Sequence, residues 1–284
     1  MDISITGAVN ASRPQIQPLA AVQALRMRCD GSAAPGSREA WVASEVPVAL
    51  VFNGISHAVM MATPQDLEDF ALGFALSEGI IDNPGECRGI EVKQHGVGTP
   101  EAACVAEIDI APRHFERLKL QRRTLAGRTG CGLCGVESLQ ALDLRAAAPM
   151  PPPAWRDAVG VAEVLRPFGV LRERQRLNAN TGALHAAGWA LPDGQLQDVL
   201  EDVGRHNALD KLLGRLARTG RLQEPGFVVM TSRTSYELVR KCARLNIGLL
   251  ATVSAPTALA LQLAREAGMH LWAQCRPPEA LRYV

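Results

Sequence analysis

Aromatic side chains are scarce in this sequence, at 4% of its 284 residues. Proteins that bind single-stranded nucleic acid stack the bases on such side chains, so this scarcity argues against that activity. The formal net charge is +1, which provides no long-range field for a polyanion such as bulk nucleic acid. Hydrophobic residues nevertheless make up 47% of the chain, which predicts a sizeable core of mainly aliphatic side chains.

Long apolar runs are also absent. No stretch of the sequence approaches the roughly 18 uninterrupted apolar residues of a membrane span. Residues 1–10 contain an acidic residue and no basic region before an apolar segment, which is not the pattern of a secretory signal peptide. We therefore expect a cytoplasmic protein with no membrane partner and no nucleic-acid partner.

A disulfide framework is not predicted, although the chain has seven cysteines. Their odd number, their scattered spacing and the lack of a signal peptide argue against structural disulfides. Only Cys131 and Cys134 are close in sequence. The others are Cys29, Cys87, Cys104, Cys242 and Cys275.

The pattern along the chain predicts three segments: a loose N-terminal arm at 1–40, a small α+β domain at 41–127 and a larger α/β domain at 128–284. The arm has no sustained period and is rich in Gly, Ser, Pro and Ala near its end. The proline-rich connector at 146–153 is an alternative place for the domain boundary.

In the small domain, the sequence predicts a hairpin followed by a helix. Asn53-Gly54 is a hairpin signal between two β-prone stretches. Thr63 followed by Pro64 predicts a helix start with Thr63 as the N-cap, and Gly79 ends the apolar face. The predicted elements are strands at 46–52 and 55–61, a helix at 63–79, a strand at 103–110 and a helix beginning at Pro112.

In the larger domain, strands alternate with helices, which predicts a mostly parallel sheet covered on both faces. The predicted elements are a hairpin at 183–190 and 195–200, a helix at 207–218, a strand at 227–230, a helix at 236–245, a strand at 249–253, a helix at 257–267 and a strand at 269–273.

Four loops should meet at one edge of that sheet, where the carboxyl ends of its strands lie. Hydroxyl groups, arginines and helix N-termini in these loops suit an anion, which favours a pocket for a phosphorylated, nucleotide-like ligand. Neither a Walker A sequence nor a GxGxxG after a strand is present, and simple helix caps and turns are the alternative interpretation. The loops are Glu201–Asn207, Thr231–Ser235, Ser254–Thr257 and Gln274–Pro278.

The Cys131–Cys134 pair lies in a glycine-rich loop, and CxxC has several meanings. A structural zinc needs four ligands and no second pair is present, so no metal is predicted. A dithiol redox pair, an inert loop pair and a thiolate used for group transfer stay open. Arg128, the upstream Arg122 and Arg123, and a helix starting after Cys134 would all favour the thiolate.

Several ordered motifs together resemble the FdhD/NarQ family of formate dehydrogenase accessory sulfurtransferases. The resemblance covers roughly residues 39–284, far more than a lone CxxC. The motifs are EVPVALVFNGISHAVMMATPQDLEDFALGFALSEGII (45–81), RTGCGLCGVESL (128–139), TGALHAA (181–187), EDVGRHNALDKLLG (201–214), SRTSYELVRKCA (232–243) and SAPTALAL (254–261).

The resemblance implies a sulfur carrier. Such a protein takes sulfur from a cysteine desulfurase and passes it to the bis-molybdopterin guanine dinucleotide form of the molybdenum cofactor, before insertion into formate dehydrogenase. Cys131 matches the persulfide-bearing cysteine, Cys134 would have an auxiliary role, and a homodimer is possible. The cofactor-binding stretch falls on Gln274, Cys275, Arg276, Pro277, Pro278 and Glu279, where Gln274 and Glu279 depart from the family pattern. The alternatives are a cofactor-binding chaperone and a thiol-disulfide oxidoreductase.

The resemblance also implies a cytidine-deaminase-like three-layer α/β/α domain preceded by a smaller α+β domain. His185 lies where a deaminase would have a zinc ligand, but Ala186 and Ala187 follow it instead of a general acid/base glutamate, so deamination is not expected. We expect the nucleotide end of the pocket to be lined by Arg205, His206, Arg233 and the Ser254–Thr257 turn.

Overall fold

The computed structural model describes residues 15–29, 32–123 and 153–284. In this part of the chain, two larger sheets and a two-stranded ribbon are combined with helices. The elements are β1 (Leu19–Met27), β2 (Ala33–Ala43), β3 (Val46–Phe52), β4 (Ile55–Ala62), α1 (Leu67–Ser77), β5 (Cys87–His95), β6 (Ala103–Ile110), α2 (Pro112–Arg123), α3 (Val161–Arg174), α4 (Asn178–Thr181), β7 (His185–Ala190), β8 (Leu196–Asp202), α5 (Arg205–Arg218), β9 (Phe227–Met230), α6 (Tyr236–Arg244), β10 (Leu249–Thr252), α7 (Ala258–Glu266), β11 (His270–Arg276) and β12 (Glu279–Arg282).

The N-terminal sheet has four strands in the order β4-β3-β6-β5. The predicted hairpin is confirmed: β3 and β4 are antiparallel and joined at Asn53 and Gly54, whose φ angles are 46° and 81°. Side chains alternate along β3, with Val48, Leu50 and Phe52 fully buried. This period of two is the pattern of a strand with one face on a core.

Helix α1 begins later than predicted. Its N-cap is Asp66, not Thr63, and α1 starts at Leu67. Thr63 is fully buried, its N–H donates to Asp202 Oδ2 at 3.0 Å, and its Oγ1 accepts from the N–H of Val203 at 3.2 Å. Tertiary hydrogen bonds therefore use the groups of Thr63 that a cap would have used.

The prediction of a loose arm at residues 1–40 is wrong for its second half, which forms strands. Residues of β1 pair antiparallel with β2, for example Leu19 with Ala43 and Leu25 with Ser37. Nearly all of β1 is exposed. A strand whose side chains are nearly all exposed has no reason to alternate apolar and polar residues, which is why the sequence of β1 shows no period.

The C-terminal sheet has six strands in the order β12-β11-β10-β9-β7-β8. Only the β9–β10 and β10–β11 pairings are parallel, while β7, β8 and β12 join through antiparallel pairings. The mixed α/β class is confirmed, but the expectation of a mostly parallel sheet is wrong. The hairpin of β7 and β8 and the short return strand β12 add antiparallel edges to a parallel centre.

Helices cover both faces of this sheet. Val228 and Met230 belong to a core shared with α5, α6 and α7, while Phe227 and Val229 belong to a separate core shared with α3. The sheet is therefore the middle of three layers. The further likeness to the cytidine deaminase fold stays a prediction.

The two sheets share one continuous core, and α1 packs closely on α5. The helices cross at Gly73 and Gly214, where an added Cβ would lie 1.7 Å from Asp210 O and 1.8 Å from Asp69 O, respectively. Only glycine allows this approach of two backbones. The predicted domain boundary near Arg128 lies outside the described residues and stays a prediction.

Within residues 15–29, 32–123 and 153–284, none of the helices combines the length and the apolar composition needed to cross a bilayer.

Candidate ligand-binding site

The structure brings the four predicted loops to one edge of the C-terminal sheet. Strands β8, β9, β10 and β11 run in the same direction, so their carboxyl ends meet there. Direct contacts join three of the loops. Thr234 forms a bridge with Pro256, and the N–H of Gln274 donates to Ser254 O at 3.3 Å.

The hydroxyl groups after β9 mostly have partners within the protein. Thr231 Oγ1 accepts from the N–H of Ala186 at 2.9 Å, and Thr234 Oγ1 lies 2.8 Å from Thr252 Oγ1. The Ser232 hydroxyl donates to Arg233 O at 3.0 Å. These groups shape the loop, which limits how many of them can bind an anion.

The loop after β8 is held by a buried charge. Asp202 and Lys211 are both fully buried, and their Oδ2 and Nζ atoms lie 2.7 Å apart. Asp202 Oδ1 also accepts from the N–H of Gly204 at 2.8 Å and from Asn207 Nδ2 at 3.0 Å. Much of the Glu201–Asn207 loop is therefore structural and does not face a ligand.

His206 lies on the α5–α6 side of the edge and forms an ion pair. Its Nε2 is 2.6 Å from Glu237 Oε2 and 3.4 Å from Ser235 Oγ. Burial raises the pKa of Glu237, but the hydrogen bond and charge of His206, helped by Arg205, outweigh it and lower that pKa below its ordinary value. The role of His206 and Arg205 at a nucleotide stays a prediction.

His185, the residue at the deaminase-like position, is half-buried beside these groups. Burial lowers the pKa of its imidazole, and the positive charges of Arg205 and His206 lower it further. A neutral imidazole is therefore favoured at this end of β7.

A cavity of about 420 Å³ opens on the α3 side of the same edge. Three of the six predicted cofactor-binding residues, Cys275, Arg276 and Pro277, line it. Gln274, Pro278 and Glu279 are not among its lining residues. Gln274 is exposed with a φ of 53°, and Glu279 begins β12 and pairs in register with Arg276. The predicted contacts of all six with a cofactor stay predictions.

The opposite side of this cavity comes from α3 and α4, which the sequence did not reveal. Phe168 and Leu171 supply apolar surface, while Arg172, Gln175 and Asn178 supply polar groups. The signal present is the helical spacing of Val164, Phe168 and Leu171. It is obscured by Pro167, which lies inside α3.

Most described cysteines are unsuited to carry sulfur. Burial raises the pKa of Cys242 and of Cys275 to about 12. Burial also raises the pKa of Cys87 and Cys104. A thiol that stays protonated is a poor nucleophile. Cys29 is exposed at the end of β1.

The predicted catalytic residues, Cys131 and Cys134, lie outside the described residues. Their roles stay predictions.

One group of described residues has the donors for a metal ion: Asp82, Glu86 and His114, whose ligand atoms lie within 4.8 Å of one another. Glu86 already accepts hydrogen bonds from the N–H of Asp82 at 2.7 Å and of Asn83 at 3.2 Å, and its Oε1 lies 3.0 Å from His114 Nε2. Arg113 also binds this carboxylate. Such contacts satisfy the carboxylate as the cap of a short turn.

The fold and the cavity together define a mixed α/β protein with a pocket at the carboxyl edge of a sheet. The model of the FdhD/NarQ family matches residues 43–284. The chain belongs to this family.

Similar proteins cover nearly the whole chain. The sulfur carrier protein FdhD of Chromobacterium violaceum is 51% identical over 263 residues, which are 92% of this chain and 94% of that protein. The protein of the same name from Acinetobacter baylyi is 50% identical over 249 residues, 86% of this chain and 85% of the relative. A crystal structure from Desulfotalea psychrophila, described as a formate dehydrogenase accessory protein, is 26% identical with a TM-score of 0.66 and covers 93% of this chain and 96% of that one.

Proposed function

We propose that this chain is a sulfur carrier that serves a formate dehydrogenase. It receives sulfur from a cysteine desulfurase as a persulfide on Cys131. It then delivers that sulfur to bis-molybdopterin guanine dinucleotide molybdenum cofactor, which is bound as a substrate. The names of relatives about 50% identical to the chain support the carrier role.

The observation that carries the cofactor part is the cavity at the carboxyl edge. Arg276 and Arg172 line it, both are exposed, and neither has an ion pair among the described residues. Free guanidinium groups beside apolar surface suit the pyrophosphate and the base of a dinucleotide. The cavity also contains part of the segment that the family resemblance assigns to the cofactor.

Sulfur loading is a thiol exchange. The Cys131 thiolate attacks the terminal sulfur of the donor persulfide, a new S–S bond forms, and the donor cysteine leaves as a thiolate. The thiolate is required because the thiol is a poor nucleophile. The buried thiols of Cys242 and Cys275 do not meet this requirement, since their pKa is about 12.

In the delivery step, the S–S bond of the persulfide breaks and Cys131 leaves as a thiolate. The two electrons that convert sulfane sulfur to sulfide come from the reduced metal of the cofactor. Cys134 assists this step without becoming the obligatory electron donor.

The test is to load the full chain with a cysteine desulfurase and cysteine, and to measure its mass. The wild-type chain should gain about 32 Da per persulfide. Cys131→Ala should abolish this gain and the maturation of formate dehydrogenase, and Cys134→Ala should reduce maturation less. Cys29→Ala, which removes an exposed cysteine far along the chain, is the matched control.

Full maturation by Cys131→Ala would contradict the proposal. Equal loss in Cys131→Ala and Cys134→Ala would show instead that Cys134 supplies the electrons through a disulfide. Cofactor binding without any persulfide would indicate an escort for the cofactor.

A further inference from the structure

Gln175 stands out among the residues that line the cavity. It follows α3, its side chain is 4% exposed, and its Nε2 has no hydrogen-bond partner among the described residues. Buried polar groups are nearly always paired, because an unpaired donor loses its hydration without compensation. A buried, unpaired donor in a cavity therefore indicates an acceptor on a ligand.

The fold does not need this amide. The backbone of Gln175 completes the end of α3, since its N–H donates to Arg172 O at 3.3 Å and its carbonyl accepts from the N–H of Ala179 at 3.0 Å. These contacts are independent of the side chain. The carboxamide thus remains available to the cavity.

The cavity has a polar gradient that orients a ligand. Arg172 and Arg276 are exposed, while Gln175 is buried, and apolar Phe168 and Leu171 line the same space. An anionic group suits the exposed arginines, and a planar, weakly polar body suits the apolar surface. The buried amide then meets the far edge of that body.

We propose that Gln175 selects the base of the bound nucleotide by donating its Nε2–H to a carbonyl oxygen on the edge of the base. This inference rests on the proposed function, because it assigns a residue to the cofactor cavity. A 6-oxopurine presents a carbonyl acceptor to such a donor. A 6-aminopurine presents an N–H₂ group at the same position, and two donors would face each other.

The experiment measures calorimetric binding of GDP, IDP and ADP to the full chain. The wild-type protein should bind GDP and IDP more tightly than ADP. Gln175→Leu should weaken GDP and IDP about tenfold, which corresponds to the loss of one buried hydrogen bond, and should not weaken ADP, because the clash between two donors is removed. Gln175→Glu should shift the preference towards ADP, because a carboxylate accepts from the exocyclic amine.

Thermal unfolding of the nucleotide-free protein provides a second measurement, in which the substitution should increase stability although it weakens nucleotide binding. Gln175→Leu should raise the melting temperature of the free protein, because it removes an unpaired buried donor, while the stabilisation by GDP should shrink. A side chain that merely packs would not produce both effects. Gln262→Leu is the control, since Gln262 is exposed on α7 and bonds only Glu266, at 2.8 Å.

The inference would be overturned if wild type, Gln175→Leu and Gln175→Glu bound GDP equally well and ranked the three nucleotides in the same order of affinity. That result would leave the cofactor site in place. Failure of the wild-type protein to bind any of the three nucleotides would overturn the cofactor site and this inference together. Sulfur loading on Cys131 would be unaffected by either result, so the two failures can be told apart.

Discussion

The contact between α1 and the C-terminal helices and the cavity at the carboxyl edge use polar groups in opposite ways. In the first region, Lys241 Nζ is buried and lies 2.7 Å from Glu78 Oε1 and 2.9 Å from Asp210 Oδ2. It also donates to the Ser77 hydroxyl at 2.8 Å, and that hydroxyl donates to Asp210 Oδ1 at 2.6 Å. Each of the three charges, Lys241, Glu78 and Asp210, thus has an opposite charge within 3 Å.

In the second region, three polar side chains that line the cavity have unmatched groups within the described residues. Arg172 and Arg276 have no ion pair within the described chain, and the amide nitrogen of Gln175 is buried without an acceptor. Matched polar groups join the two sheets, while the unmatched ones of the second region line the cavity in which we propose that a ligand binds.

The largest effect should follow from breaking a matched pair. Lys211→Met leaves Asp202 buried without its cation and removes the hydrogen bonds from Lys211 Nζ to Thr63 O at 3.1 Å and Glu201 O at 3.2 Å. The free energy of unfolding, measured in urea, should fall by about 3–5 kcal/mol.

Lys93→Met is the control for that loss. Lys93 forms an ion pair with Glu107 at 2.6 Å, but both side chains are more than two-fifths exposed. Its removal should leave the free energy of unfolding almost unchanged, because solvent screens an exposed ion pair. Similar losses in the two variants would mean that the buried pair has no special role.

A smaller effect should follow from separating the two helices. Gly73→Ala places a methyl group against the backbone of α5 at Asp210 and should lower the free energy of unfolding by about 1–3 kcal/mol. Gly169→Ala in α3 has nothing within 4 Å of the new methyl group. It should stabilise the chain by up to about 1 kcal/mol, because alanine favours the helix. Thermal unfolding of both variants checks this, and a neutral Gly73→Ala would show that the crossing tolerates a wider spacing.

The smallest expected effect is on how the free energy of unfolding changes at acidic pH. Burial raises the pKa of Glu78, but Lys241 and Arg240 lower it more strongly, so it lies well below its ordinary value of 4.5. A lowered carboxyl pKa adds stability that is present above the unfolded value and is lost as the pH falls towards the folded value. Glu78→Gln should therefore cost about 1 kcal/mol near neutral pH and flatten the loss of stability below pH 4.5.

Urea titrations at several pH values test this prediction, with the exposed Glu266→Gln as the control. An unchanged slope in Glu78→Gln would assign the acid sensitivity to other carboxyl groups whose pKa is lowered in the folded chain, such as Glu86 and Glu237.

The sequence predicted those elements whose signals are local. Strands β3, β6 and β9 have the predicted bounds, because each combines β-prone residues with a clear turn beside it. The common edge of the four loops followed from the general rule that ligands bind at the carboxyl ends of strands. The sequence motifs were also sufficient to identify the family, which the match over residues 43–284 confirms.

Other features depended on tertiary contacts and were missed. Thr63 has the sequence of a helix cap but bonds Asp202, which lies 139 residues away. Helix α3 carries Pro167, so its pattern did not stand out, and its side of the cavity, with Gln175 and Arg172, went unrecognised. Strand β1 is nearly all exposed and therefore shows no period of apolar residues.

The sequence by itself determined the local strands and turns, the family, and the set of loops at which a ligand was expected. Only the tertiary structure decided which polar groups are matched and which line the cavity without a partner among the described residues. The physical reason is that the energy of a charge or hydrogen bond depends on burial and on partners within a few ångströms. The burial and the partners exist only after segments that are distant in the chain, such as those of Thr63 and Asp202, have packed together.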